Sequence, residues 1–466
     1  MYNYRICDYV PEPKPAKTGL VVAAHYYPAW VKGGTSLHRG FDGLHDYPER
    51  TPIIGYYDGD NPEYNDWEIK WALEHGINCF VHCWYRRRDN VGSPVRYENL
   101  RLAQSLHHGF FRARYRDRMN FAIMFEAQNL WGASDREDMV KNLMPFWLEN
   151  YFLRENYLKI DNKPVLFVYD YQNQLRDAFS DADEQRRTFD KCREMACRYG
   201  FDGMLFAVEY RKDDLSVVED YRARGYDFSF SYCWNIKNAD FGAKEIMNEQ
   251  MRKMRLRADA IPDWFAPTAS AMWDPSPRFA TMPQSFNPQS NPLLWKLPPE
   301  DFRTLLRRIR EMMRSLPEGS IGSRMVMLDN WNEWDEGHYI APSLEFGFGY
   351  LQAVREALTE CDNLPDYRLP HELGTDPVNM HWEERGGERG GGNFSGEKFP
   401  PDPLQKTFGQ GLRYNVAGLF YRCGSWWKGF VRSAFGDPDL RSPSGFDSGL
   451  RPPLRMTRGA KVGCGG

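Results

Sequence analysis

Glu333 and Glu336 stand three residues apart in the run Asp329-Asn330-Trp331-Asn332-Glu333-Trp334-Asp335-Glu336-Gly337, directly after the apolar stretch Met325 to Leu328. If that stretch is a strand, both carboxyls can face the same mouth as the chain leaves it and turns. Glycosyl transfer uses such a pair, one carboxyl to protonate the departing oxygen and one to act as base or nucleophile. Flanking Trp331 and Trp334 would lower the local polarity and raise the pKa of a nearby carboxyl. The spacing alone fits equally well an acidic first turn of a helix, where carboxylates complement the dipole.

Other chemistry-bearing groups give less. Asp58-Gly59-Asp60-Asn61-Pro62 begins like a calcium loop, but Pro62 and Glu63 stand where that loop needs a ligand and a glycine. His25 and His82 fall in different strand candidates without a zinc-ligand spacing, so neither a metal nor another cofactor is expected. Glu126, at a strand end, fits a substrate contact or a structural ion pair. The basic run Arg86 to Arg88 reads as a solvated helix entry.

The elements that must position these groups are repeated βα units. The strand candidates are Leu20 to Tyr27, Ile77 to Tyr85, Asn120 to Ala127, Pro164 to Asp170, Gly203 to Tyr210, Phe228 to Trp234, Trp264 to Trp273 and Met325 to Asn330. The first helix carries its own signals: Asn61 as N-cap, Pro62 at the first position, Trp67 and Trp71 one turn apart, Gly76 as terminator. A later apolar stripe, Phe302, Leu305, Leu306, Ile309, Met312 and Met313, has a helical period. Eight such units predict an α/β fold, a (β/α)₈ TIM barrel. A doubly wound open sheet is disfavoured because no glycine-rich phosphate loop follows the first strand. Barrel chemistry sits at the strand ends, where Tyr26, Tyr27, Trp30, Trp84, Tyr85, Glu126, Tyr210, Trp234 and Trp273 join Trp331, Asn332 and Trp334 as substrate-binding candidates.

Asn332 to Gly337, the Ile340-Ala341-Pro342 turn and the run Phe346-Gly347-Phe348-Gly349-Tyr350-Leu351 together resemble the closing strand of the glycoside hydrolase family 99-like group. Segments His25 to Trp30, Gly55 to Asp58 and Phe80 to Tyr85 agree, and the resemblance covers Gly19 to Leu373. That group includes endo-α-mannosidases and glycosyltransferase-like proteins of bacterial polysaccharide clusters. The resemblance implies that Glu333 assists the substrate's own 2-hydroxyl to form a 1,2-anhydro sugar, and that Glu336 is the general acid. It implies retention by a route other than a carboxylate nucleophile, in an endo-acting glycoside hydrolase. A glycosyltransferase of surface-polysaccharide assembly is the runner-up, although no pyrophosphate loop or suitably placed DxD element is visible. A non-catalytic carbohydrate-binding barrel would keep the aromatics without needing two converging carboxyls.

The 60 basic and 64 acidic residues are well mixed, so no basic field exists to attract nucleic acid or anionic lipid. A neutral carbohydrate partner suits a chain with 15 Trp, whose rings stack on sugars as well as fill cores. The expected organisation is an N-terminal arm over residues 1–18, the catalytic barrel over 19–373, and a low-order Gly/Pro/Arg-rich extension over 374–466 of disordered or non-native character. The extension holds an aromatic patch, Leu419 to Phe430, and a chance sequon at Asn393. Nine scattered cysteines without a CxxC pair, no leader-like apolar run and no membrane-length stretch lead to an expectation of reduced thiols in a cytoplasmic protein.

Overall fold

The computed structural model describes residues 10–31, 41–127, 134–171, 173–236, 242–281 and 294–374. The expected extension, with its aromatic patch and sequon, lies outside them apart from Gly374.

Eight parallel strands form the centre: β1 Val21–Tyr26, β2 Cys79–Arg86, β3 Asn120–Glu126, β4 Lys163–Tyr169, β5 Leu205–Glu209, β6 Phe228–Phe230, β7 Thr268–Ala269 and β8 Met325–Asn330. Each pairs with its sequence neighbour from β1 to β6, and β8 pairs with both β7 and β1. A bridge between Ser229 and Phe265 closes the ring between β6 and β7, with Ala266 N–H donating to Ser229 C=O at 2.8 Å. The fold is the expected (β/α)₈ barrel. Around it pack α1 Pro62–Glu74, α2 Ala182–Arg198, α3 Val218–Ala223, α4 Ala243–Ala260, α5 Ser276–Thr281, α6 Pro299–Met313 and α7 Gly349–Leu358. Between β3 and β4 the helical layer is an irregular stretch over 136–152 whose α and π turns surround Pro145, which has no N–H for a regular ladder.

Local chemistry explains the best-defined helix. The Asn61 side chain accepts from the amides of Glu63 and Tyr64 at 2.9 and 3.4 Å, and Pro62 fills the first turn. The chain leaves α1 through Gly76 at φ +86°, a conformation an L side chain resists.

Strand alternation divides the barrel into two layers. His25, Phe167 and Phe230 meet inside the ring, whereas Tyr26, Phe80 and His82 meet outside it, facing α1 and the loop around Phe110. Between Ala24 and His25 the pairing with β8 slips by one residue, so His25 faces Asn330 rather than Asp329. A slip of this kind re-aims side chains at the end of a strand.

Residues 10–18, expected as an arm, are packed on the barrel. Val10 is buried, Ala16 N–H donates to Leu73 C=O at 3.0 Å, and Lys17 C=O accepts from Glu360 N–H at 2.9 Å. A buried ion pair joins this segment to the chain after α7. Lys70 Nζ lies 2.7 Å from Glu74 Oε2 and 2.9 Å from Asp366 C=O, and Glu74 also accepts from the amides of Lys14 and Asp366. Among the described residues, no helix is long and apolar enough to cross a membrane.

Removing one partner of a buried pair strands the other charge, a change that costs about 3–5 kcal/mol. Glu74→Ala should destabilise the protein by about that much in denaturant unfolding. Lys70→Met combined with Glu74→Leu should recover only part of the loss, because the amides of Lys14 and Asp366 still lose their acceptor. Equal stability of the single variant and wild type would show that the Asp366 carboxylate, 3.9 Å from Lys70 Nζ, or water takes over the charge.

Candidate active site

The glutamate run forms a tight hairpin. Asn332–Glu333 pairs antiparallel with His338–Tyr339, and the turn between them is one 3₁₀ turn, Trp334–Glu336, closed by Gly337 at φ +52°. The run is thus a hairpin that presents Glu333 and Glu336 together, and not the acidic first turn of a helix that its spacing equally allowed. A Glu333 oxygen, a Glu336 oxygen and a His338 ring nitrogen all lie within 4.8 Å of one another.

Arg278, on α5, meets all three carboxylates of the turn. Its Nη2 donates to Glu333 Oε1 at 3.1 Å, its Nε to Asp335 Oδ2 at 3.1 Å, and its Nη1 contacts Glu336 Oε1. The base of α5 is stitched to the same hairpin. Asp274 N–H donates to Glu336 C=O at 2.9 Å, and buried Arg50 donates to Asp274 C=O at 2.7 Å. A Cβ at Gly337 would fall 2.5 Å from Asp274 O and 2.7 Å from Arg50 Nη1, so this position needs glycine for space as well as for its backbone angle. Glu333, Glu336 and His338 could also ligate a metal, but the guanidinium of Arg278 is the cation bonded to the two glutamates.

Glu333 is held from a second side. Asn330 Nδ2 donates to its Oε2 at 2.8 Å, and the Tyr232 hydroxyl donates to the same oxygen. Burial pushes the Glu333 pKa up, while Arg278 and the hydroxyl pull it down. Tyr232 itself is pushed well above the usual phenol range, first by burial and then by Glu333, so it remains a donor. Behind Glu336, His338 contacts Asp329 and packs edge-on to Trp273 and Tyr232. Burial pulls His338 well below the usual imidazole range and pushes Asp329 up.

Of the substrate-binding candidates, Tyr27, Tyr85, Glu126 and Trp273 surround this centre. Tyr27 is pushed up by burial and then by Asp335 and Glu333, and Tyr85 by burial and then by Cys83 and Glu126. Several others support it from behind. Asn332 grips the backbone of Tyr27, accepting from its N–H at 2.7 Å and donating to its C=O at 3.0 Å. Trp30 Nε1 donates to Asn332 C=O at 2.7 Å, and Trp334 Nε1 to Tyr57 OH at 3.1 Å. Tyr26 OH and Trp331 Nε1 both donate to buried Glu68 at 2.7 Å, on the helix side of the wall. Trp331 therefore does not shape the polarity around the glutamate pair.

Two expected sugar platforms are corrected. Trp84 alternates with inward Cys83 and Tyr85, so it points outward, packs on Trp147 and donates to Tyr151 OH at 2.9 Å. Trp234 is buried between β7 and α4, donating to Thr268 C=O at 2.8 Å beneath the guanidinium of Arg257. Tyr210 packs on Tyr221 at the rim. Residue type alone missed Arg278, Tyr232, Asn330 and His338. For Tyr232 a signal existed, because Phe228, Phe230 and Tyr232 share one parity in the strand candidate.

A profile of the family described as Glycosyltransferase WbsX matches residues 34–354. Two proteins described as Uncharacterized protein WxcX, from two strains of Xanthomonas campestris pv. campestris, are each 23% identical over 392 residues, covering 76% of this chain and 51% of their own length. The chain thus spans about half the length of these curated relatives. Among solved structures, a glycoside hydrolase-like protein superposes with a TM-score of 0.52 at 16% identity, over 75% of this chain and 98% of its own, and shares the barrel. The GH99 endo-alpha-mannosidase from Bacteroides thetaiotaomicron superposes with a TM-score of 0.48 at 15% identity, over 72% and 96%. The profile match begins upstream of α1 and runs through the hairpin bearing the two glutamates into α7, and on that span the chain belongs to the WbsX glycosyltransferase family.

Proposed function

We propose that this carbohydrate-active barrel is a retaining, endo-acting glycoside hydrolase of poly- or oligosaccharides, with Glu333 as base and Glu336 as acid. The observation that carries the reading is the convergence of both carboxyls from one hairpin at the strand ends. An oxygen of each lies within 4.8 Å of the other, close enough for both to act on one sugar unit. Three donors to Glu333, from Arg278, Asn330 and Tyr232, favour the ionised form that a base needs, against a burial that raises its pKa overall.

In the proposed sequence Glu333 takes the proton of the substrate's 2-hydroxyl as that oxygen attacks the anomeric carbon. The glycosidic bond breaks, and Glu336 gives its proton to the departing oxygen. Water, deprotonated by Glu336, then opens the anhydro ring at the anomeric carbon, and Glu333 returns its proton to the 2-oxygen. Two inversions leave the configuration retained.

The family description favours a second reading, glycosyl transfer from a sugar nucleotide. Electrostatics weigh against it at this hairpin. Even with Glu336 protonated, ionised Glu333 and Asp335 outnumber the one guanidinium, so a diphosphate leaving group would enter an excess of negative charge. Incubation with aryl glycosides, mannans and bacterial polysaccharides, with and without sugar nucleotides, separates the readings. Turnover only when a sugar nucleotide is present would establish the transferase.

Glu333→Gln and Glu336→Gln keep size and hydrogen-bonding capacity while removing proton transfer, so each should lose about 10²–10⁴-fold in rate with near-normal folding. An activated leaving group such as fluoride should partly rescue Glu336→Gln and not Glu333→Gln. Full activity in both variants overturns the assignment, and a stable glycosyl adduct on Glu333 replaces the anhydro route with a covalent one.

Arg278→Gln tests the counter-charge. The guanidinium favours ionised Glu333, so without it that carboxyl titrates at higher pH. Because the base works ionised, the low-pH limb of the kcat/KM profile should move to higher pH. An unmoved limb would mean that Arg278 only braces the hairpin.

A further inference from the structure

A shallow cleft opens at the ends of β4 and β5, lined by Asp170, Tyr171, Asn173, Arg211 and Lys212 among others. Its position is the face that carries the glutamate pair, and a row of rings connects the two. Tyr232, which holds Glu333, meets Tyr169 edge-on at 5.4 Å, and Tyr169 stacks with Tyr171 at 6.4 Å. Tyr171, at the outer end of this row, is 44% exposed, more than the other aromatics named around the mouth.

The charges around the cleft are almost all committed. Arg211 is buried and donates to Glu209 at 2.6 Å and to Tyr169 OH at 3.1 Å, with its guanidinium 5.1 Å from the Tyr171 ring. Asp170 accepts from the amides of Leu175 and Arg176, both at 2.9 Å, and burial raises it to about 7. Asp213 is bonded to Arg252 and Lys253, and Asp214 accepts from Ser216 N–H at 2.9 Å. Lys212 is exposed, with its ammonium 6.0 Å from the Tyr171 ring; Asp214 is its electrostatic neighbour, and it has no close ion pair among the described residues. An exposed cation outside any close ion pair beside a partly exposed ring, with the Asn173 amide on the rim, forms a recognition set for a sugar that carries an anion.

We propose that Tyr171 and Lys212 form a subsite for a hexuronic acid unit, its ring on Tyr171 and its carboxylate at Lys212. The inference rests on the carbohydrate reading of the barrel and deepens it: the chain recognised is acidic, although the bond broken lies at a centre with no room for an anionic leaving group. Hydrolysis itself needs no charge at this distance, so the subsite selects the polymer rather than assisting the chemistry.

Binding to the full chain tests this without turnover, so failure of the hydrolase reading and failure of the subsite are separable. The probes are methyl glucuronide, methyl glucoside and glucose 6-phosphate, titrated by ligand-observed NMR at low and high salt. Methyl glucuronide should bind about threefold to fivefold more tightly than methyl glucoside, the range of an exposed ion pair, and lose that margin at high salt. Lys212→Ala should abolish the margin while sparing the glucoside, and Tyr171→Ala should weaken both; neither side chain is needed for folding, since both are exposed. Equal binding of glucuronide and glucoside, absence of binding by either, a margin that survives Lys212→Ala, or stronger binding of the phosphate than the glucuronide each overturns the assignment.

Discussion

Three carboxyl groups buried within one turn of chain set the terms for everything around them. An isolated buried charge is costly, and three of one sign repel as well. Arg278 answers that cost with one planar fork whose nitrogens reach Glu333, Asp335 and Glu336. Because the arginine sits on a separate short helix, the helix must be fixed to the hairpin it serves. The bond from Asp274 N–H to Glu336 C=O, the clamp of Arg50 on Asp274 and the bare α-carbon of Gly337 accomplish this. Each links the counter-charge to the turn it neutralises through backbone, which holds geometry better than side chains alone.

A second buried glutamate lies on the other side of the barrel wall and is handled differently. Among the described residues Glu68 is bonded by three neutral donors, Tyr26, Tyr64 and Trp331, each at 2.7 Å. Burial raises it to about 7, with those donors pulling the other way. The consequence is mechanical. Trp331 is the residue between Asn330, which holds Glu333 on the inside, and Asn332, which pins Tyr27. Anchoring its indole outside fixes the root of the hairpin between two polar sites on opposite faces.

The barrel was legible because each strand is a short apolar or aromatic run between turn signals, and α1 because Asn61, Pro62 and Gly76 announce its ends. The glutamate hairpin was legible as a polar run directly after an apolar strand. What the sequence hid follows from three physical causes. Alternation sends Tyr26 and Trp84 outward beside inward His25 and Cys83, so choosing aromatics by type rather than by parity mixes wall with lining. The one-residue slip between β1 and β8 brings Asn330, not Asp329, opposite His25, and no local pattern marks it. Arg278 is remote from its partners in sequence, within Ser276 to Thr281, where nothing distinguishes it from a solvated arginine; only tertiary packing brings it to the carboxylates.

The balance of charge that remains bears on the chemistry. Neutralising three carboxylates with one guanidinium leaves the hairpin biased toward negative potential, moderated by whatever proton the acid retains. Transition states of glycosyl transfer carry positive charge on the sugar ring, so fixed carboxylates around the anomeric carbon stabilise the ring as that charge develops. The same field opposes phosphate. On the proposed reading, a cluster of this sign suits breaking a bond between two sugars, whose leaving oxygen needs a proton rather than a cation, and Lys212, out at Tyr171, would keep recognition of acidic groups away from the atoms that react.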